Sequence, residues 1–152
     1  KHWENYIAQA VTIKSDIVAR DPMEKGERKL LNFGHTIGHG IEGFCLENET
    51  PIAHGHGVAL GMIAESYLSM KKGFLSEVAL NQIVKQLKNR FEGIEIADKE
   101  AILKIIQNDK KNDSAGIKCV LLNKIGAASF DQIIADEEII ESLDYLIAMY
   151  KQ

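Results

Sequence analysis

The run LLNFGHTIGHGIEGF, residues 30–44, decides how this part of the chain folds. Within it, GHGIEG at residues 38–43 has the G-x-G-x-x-G spacing of a dinucleotide-binding loop. Such a loop follows a β-strand inside a βαβ unit, and the sequence predicts neither here. Apolar side chains recur instead at the spacing of one helix face: Phe33, Ile37, Ile41 and Phe44. We therefore predict a helix from about Arg28 to Cys45 and regard the glycine match as accidental.

Polar side chains follow the opposite face of this predicted helix. At positions i, i+4, i+7 and i+11 they are Arg28, Asn32, His35 and His39. A guanidinium, an amide and two imidazoles are typical of a polar site, since solvated helix faces mostly carry Lys and Glu. Gly34 and Gly38 lie beside them and would allow a neighbouring backbone or a ligand to approach closely. The pattern predicts a binding site along this face.

Histidines concentrate around this helix and the next. His54 and His56 stand at the start of the third predicted helix, so four of the five histidines lie within 22 residues. Two imidazoles at i and i+4, here His35 and His39, with a third ligand from a neighbouring element, are typical of an open zinc site. Thr36 replaces the general-base glutamate of the zinc-protease motif H-E-x-x-H, which argues against peptide hydrolysis. The alternative is that the histidines are structural, but the nearby third imidazole favours metal binding.

The rest of the chain predicts a mainly α-helical domain. Helical periodicity extends over residues 3–18, 54–71, 76–91, 98–111 and from about 136 to the end, and a loop covers residues 20–29. The third helix is apolar on all sides after its first turn, which is typical of a helix in the middle of a bundle. A β-favouring run from Ile117 to Leu122, bounded by glycines, predicts a small hairpin. No repeat or linker appears, so we treat residues 1–152 as one domain.

Composition excludes two classes of partner. The net charge of −4 and the pI of about 5.7 argue against a nucleic-acid surface, which needs a basic face. No apolar run approaches the roughly 18 residues of a membrane span, and no signal-peptide pattern opens the chain.

Cys45 and Cys119 lie in apolar settings without C-x-x-C spacing, so we predict buried free thiols and a cytoplasmic protein. Because the chain starts at Lys1 and not at Met, we expect a fragment or a processed chain.

Several ordered motifs together resemble 3-dehydroquinate synthase, a family of sugar-phosphate cyclases. GERKLLNFGHTIGHGIE at residues 26–42 and HGHGVALGM at residues 54–62 are similar to the family's LNFGHTxGHAIE and HGEAVAxGM. IKSDIVARDPMEKGER at residues 13–28 and NDKKNDSAGIKCVLLNKIG at residues 108–126 resemble its flanking segments. The resemblance implies a multi-helix domain with a small β-hairpin, the C-terminal half of a two-domain α/β + α enzyme.

The family converts 3-deoxy-D-arabino-heptulosonate 7-phosphate into 3-dehydroquinate and phosphate, the second step of the shikimate pathway. Oxidation by NAD is transient, phosphate is eliminated, and an intramolecular aldol reaction closes the ring. The resemblance thus implies zinc, cobalt or another divalent metal, a sugar-acid phosphate substrate and a homodimer. The family's NAD-binding half and its third zinc ligand, a glutamate, have no counterpart in this chain. We therefore expect the chain to be inactive without its N-terminal half.

The resemblance also implies roles for individual residues. His35 and His54 match metal ligands, while His39 matches a histidine that moves protons near the substrate phosphate. Positions that bind the substrate are matched by Lys14, Arg28, Asn32 and His39, and the phosphate by Lys110 or Lys111. Lys14 and His39 are the implied catalytic residues. His56 stands where the family has a glutamate, and we expect this exchange to tune the metal site more than to abolish it.

Other functions remain open at this point. A second sugar-phosphate cyclase, such as 2-deoxy-scyllo-inosose synthase, shares the metal core and differs in the substrate pocket. A metal-dependent polyol dehydrogenase, such as glycerol dehydrogenase, uses a similar helical domain without phosphate elimination. A helical module whose histidines bind a structural or regulatory metal is the non-enzymatic alternative.

Overall fold

The structure, a computed structural model, describes residues 3–108 and 116–151. Its elements are α1 (Trp3–Arg20), a 3₁₀ helix (Glu27–Asn32), α2 (His35–Glu47), α3 (His54–Lys71), α4 (Glu77–Lys88), α5 (Lys99–Asn108), β1 (Ile117–Lys124), β2 (Ala127–Ile134) and α6 (Asp136–Tyr150). The predicted fold class is confirmed: the domain is mainly helical and carries one antiparallel hairpin in its described part. Most helices begin and end within three residues of their predicted limits.

Helix α3 is central to the packing of the domain. It packs against α2, α4, α6 and β1. Its side chains Leu60, Ile63 and Leu68 are at most 1% exposed, and burying an aliphatic side chain of this size contributes about 1.5–3 kcal/mol. An apolar helix surrounded by other elements is what the sequence predicted for this segment, and the prediction is confirmed.

The hairpin closes one side of the bundle. β1 and β2 pair in antiparallel fashion with Ile117 opposite Ile134, and both of these side chains are buried. The Thr36 hydroxyl donates a hydrogen bond to the Lys118 carbonyl at 3.0 Å, which ties the start of α2 to β1. The two cysteines are buried free thiols, as predicted.

The predicted helix from Arg28 to Cys45 is wrong in one respect, because the chain breaks it in two. A 3₁₀ helix ends at Asn32, and α2 begins only at His35. Between them Gly34 has a φ of 81°, a left-handed conformation that a residue with a side chain rarely adopts. Arg28 and Asn32 therefore do not share one continuous helix face with the two histidines of α2.

Helix α1 lies at the surface. None of its residues is buried, and Trp3, Tyr6, Ile7 and Val11 are each more than 60% exposed. Such an apolar stripe on a helix is usually covered by another element. Over the described residues, no helix combines the length and apolar character that crossing a membrane requires.

Candidate metal and substrate site

Helices α2 and α3 cross at backbone contact, and glycines make this possible. A Cβ atom added to Gly38 would lie 2.8 Å from the Gly57 carbonyl oxygen, and one added to Gly34 would lie 2.7 Å from the Val58 carbonyl oxygen. A Cβ atom on Gly61 would lie 2.6 Å from the Gly38 nitrogen. Real Cβ atoms essentially never approach other heavy atoms within 3.0 Å. The prediction that Gly34 and Gly38 admit a neighbouring backbone is confirmed, and the backbone is that of α3.

This crossing brings three imidazoles together. His35 is the first residue of α2, His39 stands one turn later, and His54 is the first residue of α3. Their ring centroids form a nearly equilateral triangle with sides of 5.4, 5.4 and 5.5 Å. His35 and His39 are half-buried, and His54 is exposed. We refer to these three side chains as the histidine triad.

The histidine triad fits a divalent metal. One nitrogen from each ring lies within 4.8 Å of the others, whereas ligands at about 2.1 Å from a tetrahedral zinc ion lie about 3.4 Å apart. Small rotations of the side chains close that difference. Three neutral imidazoles with an open fourth position are a common ligand set of catalytic zinc. The implied ligands His35 and His54 are thus placed together, and His39 offers a third nitrogen.

Hydrogen bonds at the ring nitrogens orient two members of the triad. His54 Nδ1 lies 3.0 Å from Glu42 Oε2, and His35 Nδ1 lies 3.3 Å from the Phe33 carbonyl oxygen. Carboxylate and carbonyl acceptors of this kind fix the tautomer of a metal-binding histidine and direct its other nitrogen to the metal. For His54 that other nitrogen is Nε2.

Glu42 was not identified from the sequence as a site residue. It stands one turn after His39 on α2, in the GHGIE run, so a search for carboxylates at helical spacing from the histidines would have found it. Its partner His54 is twelve positions away. The spacing alone could therefore suggest Glu42 but could not assign it to a particular imidazole.

Glu24 holds the predicted substrate residues of the 3₁₀ helix. Its Oε1 accepts a hydrogen bond from Asn32 Nδ2 at 2.7 Å, and its Oε2 lies 3.7 Å from Arg28 Nε. Arg28 also donates through Nη1 to the Pro22 carbonyl oxygen at 2.9 Å. Arg28 and Asn32 therefore share one carboxylate partner, and Glu24 is a second residue that the sequence did not single out.

Asp21 organises the loop that carries Glu24. Its carboxylate accepts hydrogen bonds from the backbone N–H groups of Lys25, Gly26 and Arg28, at 3.0, 2.8 and 3.1 Å. The bond from Lys25 is the largest cause that lowers the pKa of the Asp21 carboxyl. Because the carboxylate accepts hydrogen bonds from the N–H groups at the start of the 3₁₀ helix, it fixes the backbone position of Arg28.

The remaining predicted residues lie away from the histidine triad or outside the described residues. Lys14 is exposed on α1. Lys110 and Lys111 lie outside the described residues, so the choice between them stays a prediction. His56 is turned away from the triad: its Nε2 lies 2.7 Å from the Glu92 carbonyl oxygen, and its ring lies 5.7 Å from that of Phe91. The imidazole at this position therefore binds the segment after α4.

Comparisons with known proteins match this chain to one family. The family model described as 3-dehydroquinate synthase C-terminal matches residues 1–112. A 3-dehydroquinate synthase of Parabacteroides distasonis is 40% identical over 142 residues, which cover 91% of this chain and 40% of that protein. The pentafunctional AROM polypeptide of Pneumocystis carinii is 35% identical over 165 residues, which cover 99% of this chain and 10% of that protein. The chain thus spans about two fifths of the length of the synthase and a tenth of that of the AROM polypeptide.

Solved structures of cyclases share the fold. A 2-deoxy-scyllo-inosose synthase complexed with carbaglucose-6-phosphate, NAD+ and Co2+ aligns with a TM-score of 0.78 and 23% identity, covering 93% of this chain and 40% of that one. A 2-epi-5-epi-valiolone synthase from Streptomyces hygroscopicus subsp. jinggangensis, with NAD+ and Zn2+ bound, aligns with a TM-score of 0.74 and 22% identity, covering 93% of this chain and 39% of that one.

Proposed function

Because this chain belongs to the 3-dehydroquinate synthase family, we propose that it supplies the metal- and substrate-binding half of such a synthase. The proposed reaction is the conversion of 3-deoxy-D-arabino-heptulosonate 7-phosphate into 3-dehydroquinate and phosphate. The observation that carries the proposal is the histidine triad at the crossing of α2 and α3, in a chain 40% identical to a 3-dehydroquinate synthase. We further propose that residues 1–152 form one C-terminal domain and that an upstream α/β domain binds NAD.

The proposed metal ligands are His35 and His54. Glu42 supports this assignment because its carboxylate engages His54 Nδ1 at 3.0 Å, which leaves Nε2 for the metal. His39 lies close enough to the other two histidines to complete the ligand set, and the family resemblance assigns it proton exchange with the substrate as the alternative role. When bound, zinc or cobalt would lower the pKa of substrate hydroxyls, and NAD would accept a hydride.

Charged side chains would bind the anionic ends of the substrate. We propose that Arg28 and Asn32 bind polar groups of the substrate, since both lie on the 3₁₀ helix that immediately precedes the triad in the chain. Glu24 holds them in the free protein, and its bond to Asn32 at 2.7 Å would keep the amide in place. Arginine suits carboxylate and phosphate because its planar guanidinium donates two parallel hydrogen bonds. Lys14, and Lys110 or Lys111, are the proposed additional cations.

The apolar face of α1 supports the proposal of an upstream domain. Four apolar side chains of this helix are 61–68% exposed: Trp3, Tyr6, Ile7 and Val11. A contiguous apolar patch of this kind on a protein surface usually marks an interaction site. We propose that the upstream domain covers this face. Two further proposals, a homodimer and a cytoplasmic location, rest on the family resemblance and on the free buried thiols of Cys45 and Cys119.

The test is phosphate release from the heptulosonate phosphate in the presence of NAD and zinc. The chain alone, the protein with its upstream domain, and that longer protein carrying His54→Ala are compared. The control is His56→Ala, which removes an imidazole two positions away that lies outside the triad. We expect turnover in the longer protein, loss with His54→Ala and retention with His56→Ala. Turnover of glucose 6-phosphate in place of the heptulosonate phosphate would contradict the proposal and identify an inosose-type cyclase.

A further inference from the structure

The first turn of α2 has no cap from its own segment. The residue before the helix is Gly34, which has no side chain to accept a hydrogen bond. The first N–H groups of any α-helix lack partners inside the helix, and leaving them buried without an acceptor costs about 1–3 kcal/mol each. His35 is the first residue of this turn, so whatever satisfies these groups also determines where the His35 ring points.

Glu65 of α3 supplies the missing acceptor. Its Oε2 accepts a hydrogen bond from the Gly34 nitrogen at 2.6 Å, and its Oε1 accepts one from the Ile37 nitrogen at 3.3 Å. The side chain is 0% exposed. Burial raises the pKa of this carboxyl from its ordinary 4.5 to about 8, although the N–H donors of Gly34, Ile37 and Thr36 oppose the rise.

Packing alone does not explain why an ionisable side chain is buried at position 65. Its neighbours on α3, Ala64 and Ser66, are small and fully buried, and an apolar residue would fill the same space without loss of hydration. The Glu65 carboxyl instead joins α3 to the start of α2, the helix that carries two of the triad's imidazoles. Its two hydrogen bonds, to the Gly34 and Ile37 N–H groups, link the side chain of α3 to the backbone at the start of α2.

We propose that Glu65 is a positioning residue for the metal site: by holding Gly34 and Ile37, it sets the directions of His35 and His39 toward His54. This inference rests on the proposed metal-binding function of the triad. Glu65 touches neither the metal position nor the substrate in this account. Its effect passes through the backbone of α2, from Gly34 to the two histidines.

The test compares Glu65→Gln with Ser66→Ala in the protein that includes its upstream domain. Glutamine keeps the size of the side chain and one acceptor oxygen but replaces the other oxygen with an NH₂ group that cannot accept. Ser66 is equally buried, and its hydroxyl has no hydrogen-bond partner within the described residues, so its removal tests packing around α3 without removing a hydrogen bond to α2. Zinc affinity is measured by competition with a chromophoric chelator, and amide exchange at Ile37 by NMR.

We expect Glu65→Gln to lower zinc affinity about tenfold, as loss of an outer-shell partner does, and to speed exchange at Ile37. Ser66→Ala should change neither. Unchanged zinc affinity in Glu65→Gln would overturn the positioning role, even if exchange at Ile37 became faster. If the unaltered protein with its upstream domain binds no zinc, the metal part of the proposed function is wrong. The positioning role is then decided by the Hε1 chemical shifts of His35 and His39, which Glu65→Gln must move and Ser66→Ala must not.

Discussion

The substitution Gly61→Ala tests whether close packing of α2 on α3 builds the histidine triad. Gly61 lies in the middle of α3, where it faces the backbone of α2. An alanine Cβ there would overlap most with the Gly34 carbonyl oxygen, and it would lie 2.6 Å from the Gly38 nitrogen and 2.9 Å from the Gly38 Cα. All three atoms belong to the backbone, so no side-chain rotation can relieve the overlap.

The size of the effect follows from these distances. Ordinary van der Waals contact begins at 3.4 Å, so the two helices must separate by about 0.8 Å or more. Overpacking of this kind costs about 1–3 kcal/mol, and a clash with backbone falls at the upper end. Because a metal site tolerates displacements of only about 0.5 Å, zinc affinity should fall at least tenfold as His54 moves from His35 and His39.

The matched control is Gly55→Ala, also on α3. A Cβ atom at Gly55 would meet no heavy atom within 4 Å, and its φ is not left-handed. Alanine favours the helix by up to about 1 kcal/mol over glycine, so this variant should be as stable as the unaltered chain or more stable. Urea unfolding and zinc competition, run on both variants, give the two quantities. Equal free energies of unfolding and equal zinc affinities for Gly61→Ala and Gly55→Ala would refute the reasoning.

Three further predictions concern charge and exposure. Since the pKa of the buried Glu65 carboxyl is raised to about 8, its contribution to stability is complete below its ordinary pKa of 4.5 and is lost as pH rises through 8. The melting temperature should therefore fall between about pH 4.5 and 8, and calorimetry should show a flatter profile for Glu65→Gln; parallel profiles would contradict this. Glu42→Gln should lower zinc affinity about 10- to 100-fold, because His54 loses its carboxylate partner, and an unchanged affinity by titration calorimetry would exclude that role. Amide exchange across Trp3–Arg20 should slow at least tenfold, by roughly 1.4 kcal/mol of protection, when the upstream domain is present; equal exchange would show that α1 stays uncovered.

Local patterns predicted the helices and the hairpin well. The apolar repeat of the third helix identified a segment that does lie among four other elements. The break at Gly34 was not predicted, because the apolar spacing from Phe33 to Phe44 continues through it. A glycine is required there because α3 approaches closely: the Val58 carbonyl oxygen leaves no room for a Cβ atom on residue 34. A contact between residues 24 positions apart cannot be read from the pattern around either one.

The candidate site shows the same division between local and distant information. The i, i+4 spacing of His35 and His39 predicted that their rings would meet, and their centroids lie 5.4 Å apart. Glu65 was not predicted, because its hydrogen-bond partner Gly34 lies 31 positions earlier in the chain. On sequence alone, a single glutamate in an apolar helix gives no indication of which backbone groups it binds.

Because Cys45 and Cys119 are buried, the rate at which their thiols are modified measures how often the structure around each one opens. Cys45 lies on α2 and Cys119 on β1, and both are at most 3% exposed. Burial also raises the pKa of both thiols, so the reactive thiolate forms only when the surrounding structure opens. The rate at which a disulfide reagent modifies each cysteine therefore reports opening around α2 and opening of the hairpin separately. Adding zinc should slow modification of Cys45 more than that of Cys119, without any engineered label.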